Sequence, residues 1–137
     1  MNEQLDNLAK IGKLKPEPFA EKEFSGLVNS AKKRLADARN EELSPESRFD
    51  LAYNAAHAFA LAALRLRGYR SENRILVFQT LEHTAAMPAS KWRVLSKCHD
   101  ARNLAEYEGH TDVDARLLAD LLKIASELEA IVLALRP

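Results

Sequence analysis

Arg102, Asn103, Tyr107 and His110 fall within the segment CHDARNLAEYEGHT, residues 98–111. Each type has a chemistry. A guanidinium grips phosphate or carboxylate oxygens two at a time. A tyrosine ring is a stacking face. Histidine is the side chain that exchanges a proton near neutral pH. Together they suit recognition of an anion, with proton transfer where an imidazole comes within reach. A second set, Asp50, Asn54 and His57, is spaced i, i+4, i+7 and shares one edge of a helix. Contact between the two segments would gather Asp50, Asn54, His57, Arg102 and Tyr107. Asp50 would then pair Arg102, either as part of a site or only for stability. A histidine on such an alanine-rich edge also suits a hydrogen-bonded core position.

Other chemistries find little support. His99 and His110 straddle most of a helix, and no HxxxH or HxxE pair occurs, so no metal site is expected. There is no glycine-rich phosphate loop and no Ser/His/Asp pattern. Cys98 and His99 are adjacent, which on a helix points them about 100° apart. No cofactor is expected. A single cysteine excludes an internal disulfide and fits a reducing compartment.

Helices must position these residues. Only 4 Gly and 5 Pro occur in 137 residues, and hydrophobic content is 47%. Residues 2–10 form a short helix on Leu5 and Leu8, and 12–18 read as a loop. Phe24, Leu27, Val28, Ala31, Leu35 and Ala38 predict a helix over about 18–40, with Lys32, Lys33 and Arg34 on its wet side. Ser44-Pro45 starts the next. Phe49, Ala52, Tyr53, Ala56, Ala60, Ala63 and Leu64 carry its stripe to about Arg67, and Gly68 ends it. Ser71 caps a helix to about Ala85, buried through Ile75, Phe78 and Leu81. A helix over about 90–108 buries Leu95, Cys98 and Ala105, with Trp92 at its edge and Gly109 at its end. On it Arg102 lies about 40° from Cys98 around the axis. Thr111 caps the last helix, with Asp114 as a weak capping-box echo. Leu117, Leu121, Ile124, Leu128, Ile131 and Leu135 form its seam, widened by Leu118, Leu122, Ala125 and Val132. That seam serves the core, a dimer surface, or both. The expected fold is all-α, an antiparallel helical bundle of about five helices. Residues 1–17 form an N-terminal short helix and loop, and 18–137 the bundle domain.

Lys+Arg and Asp+Glu are both 20, so the whole chain favours no acidic partner. Residues 61–102 carry 8 basic and 3 acidic side chains, a local positive field that attracts phosphates unless the acidic tail neutralises it in the fold. No segment reads as a signal peptide or a membrane span. A cytoplasmic location without membrane partners is expected.

The run AYNAAHAFALAALRLRGYRSENRILVFQTL, residues 52–81, resembles the first half of HEPN domains. These often carry a histidine on an aromatic, alanine-rich helix that ends in a Gly-Tyr turn. Arg102-Asn103-Leu104-Ala105-Glu106-Tyr107 resembles the second-half motif, an arginine followed by a polar residue. The likeness spans about residues 18–135. It implies a helical bundle that pairs as a homodimer, with the arginines of both subunits lining a shared cleft. RNase members add a histidine there and cleave RNA without metal, often as toxins or in defence. Other members bind nucleotides or act as non-catalytic partners. This chain departs from the RNase pattern. Tyr107 stands five after Arg102, where the histidine is expected, and His110 lies eight after it, one beyond the usual reach. A tyrosine with pKa near 10 is a poor base at neutral pH.

Three functions are therefore in play. One is a HEPN-like dimeric module binding a nucleotide, RNA or an antitoxin-like protein partner through Arg102, Asn103, Tyr107, Asp50, Asn54 and His57. Another is a metal-independent endoribonuclease using Arg102 with His110, His99 or His57. The third is a structural or regulatory bundle whose polar cluster only stabilises it.

Overall fold

The computed structural model describes residues 2–109 and 113–135; of Glu106, Tyr107 and Glu108 only the helical backbone is described. The fold is an all-α helical bundle. Its helical segments are α1 (Glu3–Lys10), α2 (Glu21–Ala38), α3 (Pro45–Leu66), α4 (Arg74–Gln79), α5 (Leu81–Thr84), α6 (Ala89–Glu108) and α7 (Ala115–Leu135). No described helix is long and apolar enough to cross a membrane.

α3 is the central helix. Ser44 Oγ accepts the Ser47 N–H at 3.1 Å and Pro45 occupies the first turn, so the start is both capped and pre-set in φ. Seven alanines of α3 are buried to the limit or nearly so, and small side chains let α2 and α7 approach its axis closely. α2 lays Phe24, Val28, Ala31, Leu35 and Ala38 on it at helical spacing. Arg48 Nε donates to the Ala38 carbonyl at 2.8 Å at one end, and Arg65 meets Glu23 at the other. These contacts make α2 and α3 antiparallel. α6 runs antiparallel to α3, since Tyr53 meets His99 and Asp50 meets Arg102. Lys91 Nζ reaches Glu127 at 2.8 Å, so α7 turns back against α6. The deepest line of α7 is Leu118, Leu121, Ala125, Leu128 and Val132; Leu117, Ile131 and Leu135 are only partly buried. Most of the apolar seam therefore belongs to the bundle's own core.

Four expectations need correcting. Residues 12–18 are not merely a loop: Lys15–Pro16 forms β1, paired antiparallel with β2 (Tyr69–Arg70). The helix expected from Ser71 starts instead at the cap Asn73, whose Oδ1 accepts the Leu76 N–H at 3.1 Å. Ser71 Oγ serves the turn before it, accepting from the Asn73 N–H. That helix also breaks near Thr80, whose hydroxyl donates to the Val77 carbonyl at 2.7 Å and competes with the helical ladder. Ala105, expected in the core, is exposed together with Leu104, since the last turns of α6 leave the core beyond Cys98.

Gly68 ends α3 with φ 86°, a left-handed conformation that suits glycine. Gly109 closes α6 with φ 72° in the same way. Thr111 lies outside the described residues. At the start of α7 Asp114 Oδ1 accepts from the Arg116 and Leu117 N–H groups, so Asp114 occupies the capping place itself.

The N-terminal segment docks on the bundle. Leu5 is fully buried, Asn2 Nδ2 donates to the His83 carbonyl at 3.0 Å, and the Tyr69 hydroxyl donates to Asp6. The strongest tie is Arg65, only 1% exposed. Its Nε donates to Glu23 at 2.6 Å, and its Nη atoms donate to the carbonyls of Glu17 at 2.8 Å and Pro18 at 2.6 Å. Arg70 pairs with the same two carboxylates. Burial alone would raise the Glu23 carboxyl; the hydrogen bonds and charges of Arg65 and Arg70 outweigh it and hold the group below its ordinary pKa.

Candidate functional site

Where α3, α4 and α6 meet, Tyr53 is the hub. Helical phase buries it one turn before His57 and beside Asn54. Its hydroxyl lies 2.6 Å from His99 Nδ1. The other nitrogen of that ring, His99 Nε2, is 3.2 Å from the Asn103 amide. Both imidazole nitrogens are thus engaged, and His99 links α3 to the polar side of α6.

Two arginines flank the same tyrosine. The guanidinium carbon of Arg102 stands 5.3 Å from the Tyr53 ring centroid, and that of Arg74 stands 5.5 Å from it. Both distances fit cation–π attraction. Burial is the largest influence on the Tyr53 hydroxyl and raises its pKa, and the nearby Arg74 and Arg102 charges temper the rise. Arg102 Nε also meets Asp50 Oδ1 at 3.3 Å. Arg74 Nη1 donates to Asn54 Oδ1 at 3.2 Å, and Asn54 Nδ2 donates back to the Asp50 carbonyl at 2.9 Å. Among the described residues Arg74 forms no ion pair with a carboxylate.

The structure thus joins Asp50 to Arg102 directly, as the spacing implied. Asn54 joins through Arg74 rather than through Arg102. Asn103 joins through His99. His57 sits slightly apart, its ring edge-on to Phe78 at 5.9 Å. Burial first, then the charges of Arg74 and His99, push its pKa down to about 4. It is a neutral imidazole at physiological pH and a weak base. The Tyr107 side chain and His110 lie outside the described residues. Cys98 is fully buried, and its thiol is pushed up to about 12, chiefly by burial and then by Asp120. Among the described residues no three His, Cys, Asp or Glu side chains form a metal-ligand set.

Sequence reasoning missed Arg74 and the central place of Tyr53. Tyr53 was read only as part of an apolar stripe. The signal available was its position between Asp50, Asn54 and His57, and an arginine directly after the helix cap Asn73.

No protein-family model and no curated protein sequence matches this chain.

Proposed function

We propose that this protein is a HEPN-like, dimeric binding module, related to toxin–antitoxin or defence systems, whose Tyr53–Arg74–Arg102 surface holds the phosphate of a nucleotide or RNA segment. One observation carries the reading. Arg74 is a half-buried cation that forms no ion pair among the described residues; its polar side-chain partners there are the neutral Asn54 amide and the Tyr53 hydroxyl, and it stands beside the second cation Arg102. A desolvated positive charge without a counter-ion favours an anion from outside. Asn54 and Asn103 supply further polar groups on the same elements. Exposed Leu104, 47% accessible, stands two residues from Arg102 on α6 and offers an apolar contact for a second copy. The low basicity of His57 and the doubly engaged His99 favour binding over proton transfer.

Thermal stability measured with ATP, AMP and a short single-stranded RNA tests this reading. Saturable stabilisation that Arg74→Ala and Arg102→Ala both remove supports it. Incubation with total RNA in EDTA separates the alternative. Cleavage abolished by Arg102→Ala would replace the binding module by a metal-independent endoribonuclease, with a histidine such as His110 as base. Neither stabilisation nor cleavage would leave a purely structural bundle. Light scattering tests the dimer, and a monomeric mass at micromolar concentration would overturn the shared cleft.

A further inference from the structure

A polar cleft lies at the C-terminal end of α3, between that end, α1 and α5. It is a partly open cavity of about 390 Å³ lined by Asn2, Leu5, Asp6, Arg67, Tyr69 and His83. That volume lies within the range of small-molecule sites. Three arginines cluster at this end of the helix. Arg65 and Arg70 are both neutralised by Glu17 and Glu23. Arg67, between them in sequence, makes no ion pair among the described residues, and it lines the cavity. His83 lines the same space, and its imidazole makes no hydrogen bond to a described side chain. Among the described residues the only carboxylate lining the cavity is Asp6, and the Tyr69 hydroxyl already occupies one of its oxygens. That hydrogen bond, followed by burial, raises the Tyr69 pKa and keeps its proton in place.

We propose that this cavity binds a small organic anion that carries a hydroxyl or ammonium group at its other end. Arg67 holds the carboxylate or phosphate of the ligand through paired N–H donors. His83 donates a further hydrogen bond to it. The second Asp6 oxygen accepts from the donor at the far end of the ligand. Leu5 forms an apolar wall for the carbon skeleton between them. Neither Arg74 nor Arg102 takes part, so the site stands whether or not the surface around Tyr53 binds nucleotide or RNA.

Titration of the full chain with glucose 6-phosphate, L-serine and inorganic phosphate, followed by amide NMR shifts, tests the proposal. The expected result is a saturable shift, with glucose 6-phosphate or serine, confined to residues around Asp6, Tyr69 and His83. The probe that saturates identifies the anionic group as phosphate or carboxylate. Arg67→Met weakens that binding about tenfold or more, the size of one lost charge-assisted contact. Arg67 is exposed, so this variant keeps the fold. Arg102→Ala leaves the binding unchanged. Inorganic phosphate binding as tightly as glucose 6-phosphate would overturn the two-ended ligand. The absence of a saturable shift with all three probes at about 10 mM would overturn the site. So would undiminished binding by Arg67→Met.

Discussion

The hydroxyl of Tyr53 and Nδ1 of His99 lie 2.6 Å apart, and this short bond is the polar stitch between α3 and α6. It forms beside buried Cys98 and Phe78, with the Tyr53 side chain buried and the His99 ring partly so. Tyr53→Phe leaves the imidazole nitrogen without its partner, and should cost about 1–3 kcal/mol. Urea denaturation measures it. A loss below about 0.5 kcal/mol would show that the bond contributes nothing net.

Asp50 and Arg102 pair at 3.3 Å, but the Asp50 side chain is 58% exposed. A double-mutant cycle with Asp50→Asn and Arg102→Gln should therefore give a coupling of no more than about 1 kcal/mol. The pair contributes little stability, so the two substitutions are good probes of binding. Asp50→Asn removes a competing carboxylate and should strengthen ATP or RNA binding, whereas Arg102→Gln weakens it. Identical effects of both on affinity would contradict this.

Arg65 is a different case. Its replacement by alanine leaves the Glu17 and Glu23 carboxylates to Arg70 alone and unbinds three backbone carbonyls, those of Glu17, Pro18 and Tyr69. The expected destabilisation is about 2–4 kcal/mol, from a broken buried hydrogen-bond network. Arg67→Ala, two residues on and exposed, should stay within about 0.5 kcal/mol of wild type. Parallel chemical denaturation of the two variants makes the comparison, and similar values would contradict the clasp.

His57 sets an acid limit on the fold. Its pKa is about 4 in the folded protein, against about 6.5 unfolded. A depressed value means that below about pH 6.5 the unfolded chain takes up a proton that the folded one refuses. The stabilisation is complete above that pH and disappears as pH falls towards 4, roughly 3 kcal/mol in all. His57→Gln should flatten this part of the stability profile between pH 7 and 4.5. A parallel profile for the variant would rule His57 out as the titrating group.

Cys98 should resist thiol reagents in the native protein at pH 8, since its pKa is pushed to about 12 and its side chain is fully buried. Modification should follow only in denaturant. Rapid labelling without denaturant would show that α6 opens.

Much of the bundle was legible in the sequence because periodic apolar residues mark helices whatever packs against them. Ser44-Pro45, Gly68 and Gly109 signalled their termini through local geometry alone. The Asp50–Arg102 contact was legible for the same reason, as helical phase put each beside a core stripe. Ala105 misled because its phase matches Cys98, yet among the described residues it stays exposed. Arg65 was invisible as a clasp: a charge between two leucines reads as a helix edge until the carbonyls of Glu17 and Pro18 arrive from outside. Arg74 escaped notice because its meaning depends on a tyrosine twenty-one residues earlier. The dimer, the nucleotide or RNA ligand and the HEPN kinship rest on the proposal above.

α3 is one unbroken rod, with Tyr53 in its first half and Arg67 just past its end. Fourteen residues of helix set them about 21 Å apart. With close-packed alanines along its length, this rod has little room to bend or slide. Guests at its two ends would feel each other, if at all, through a rigid displacement of the entire shaft.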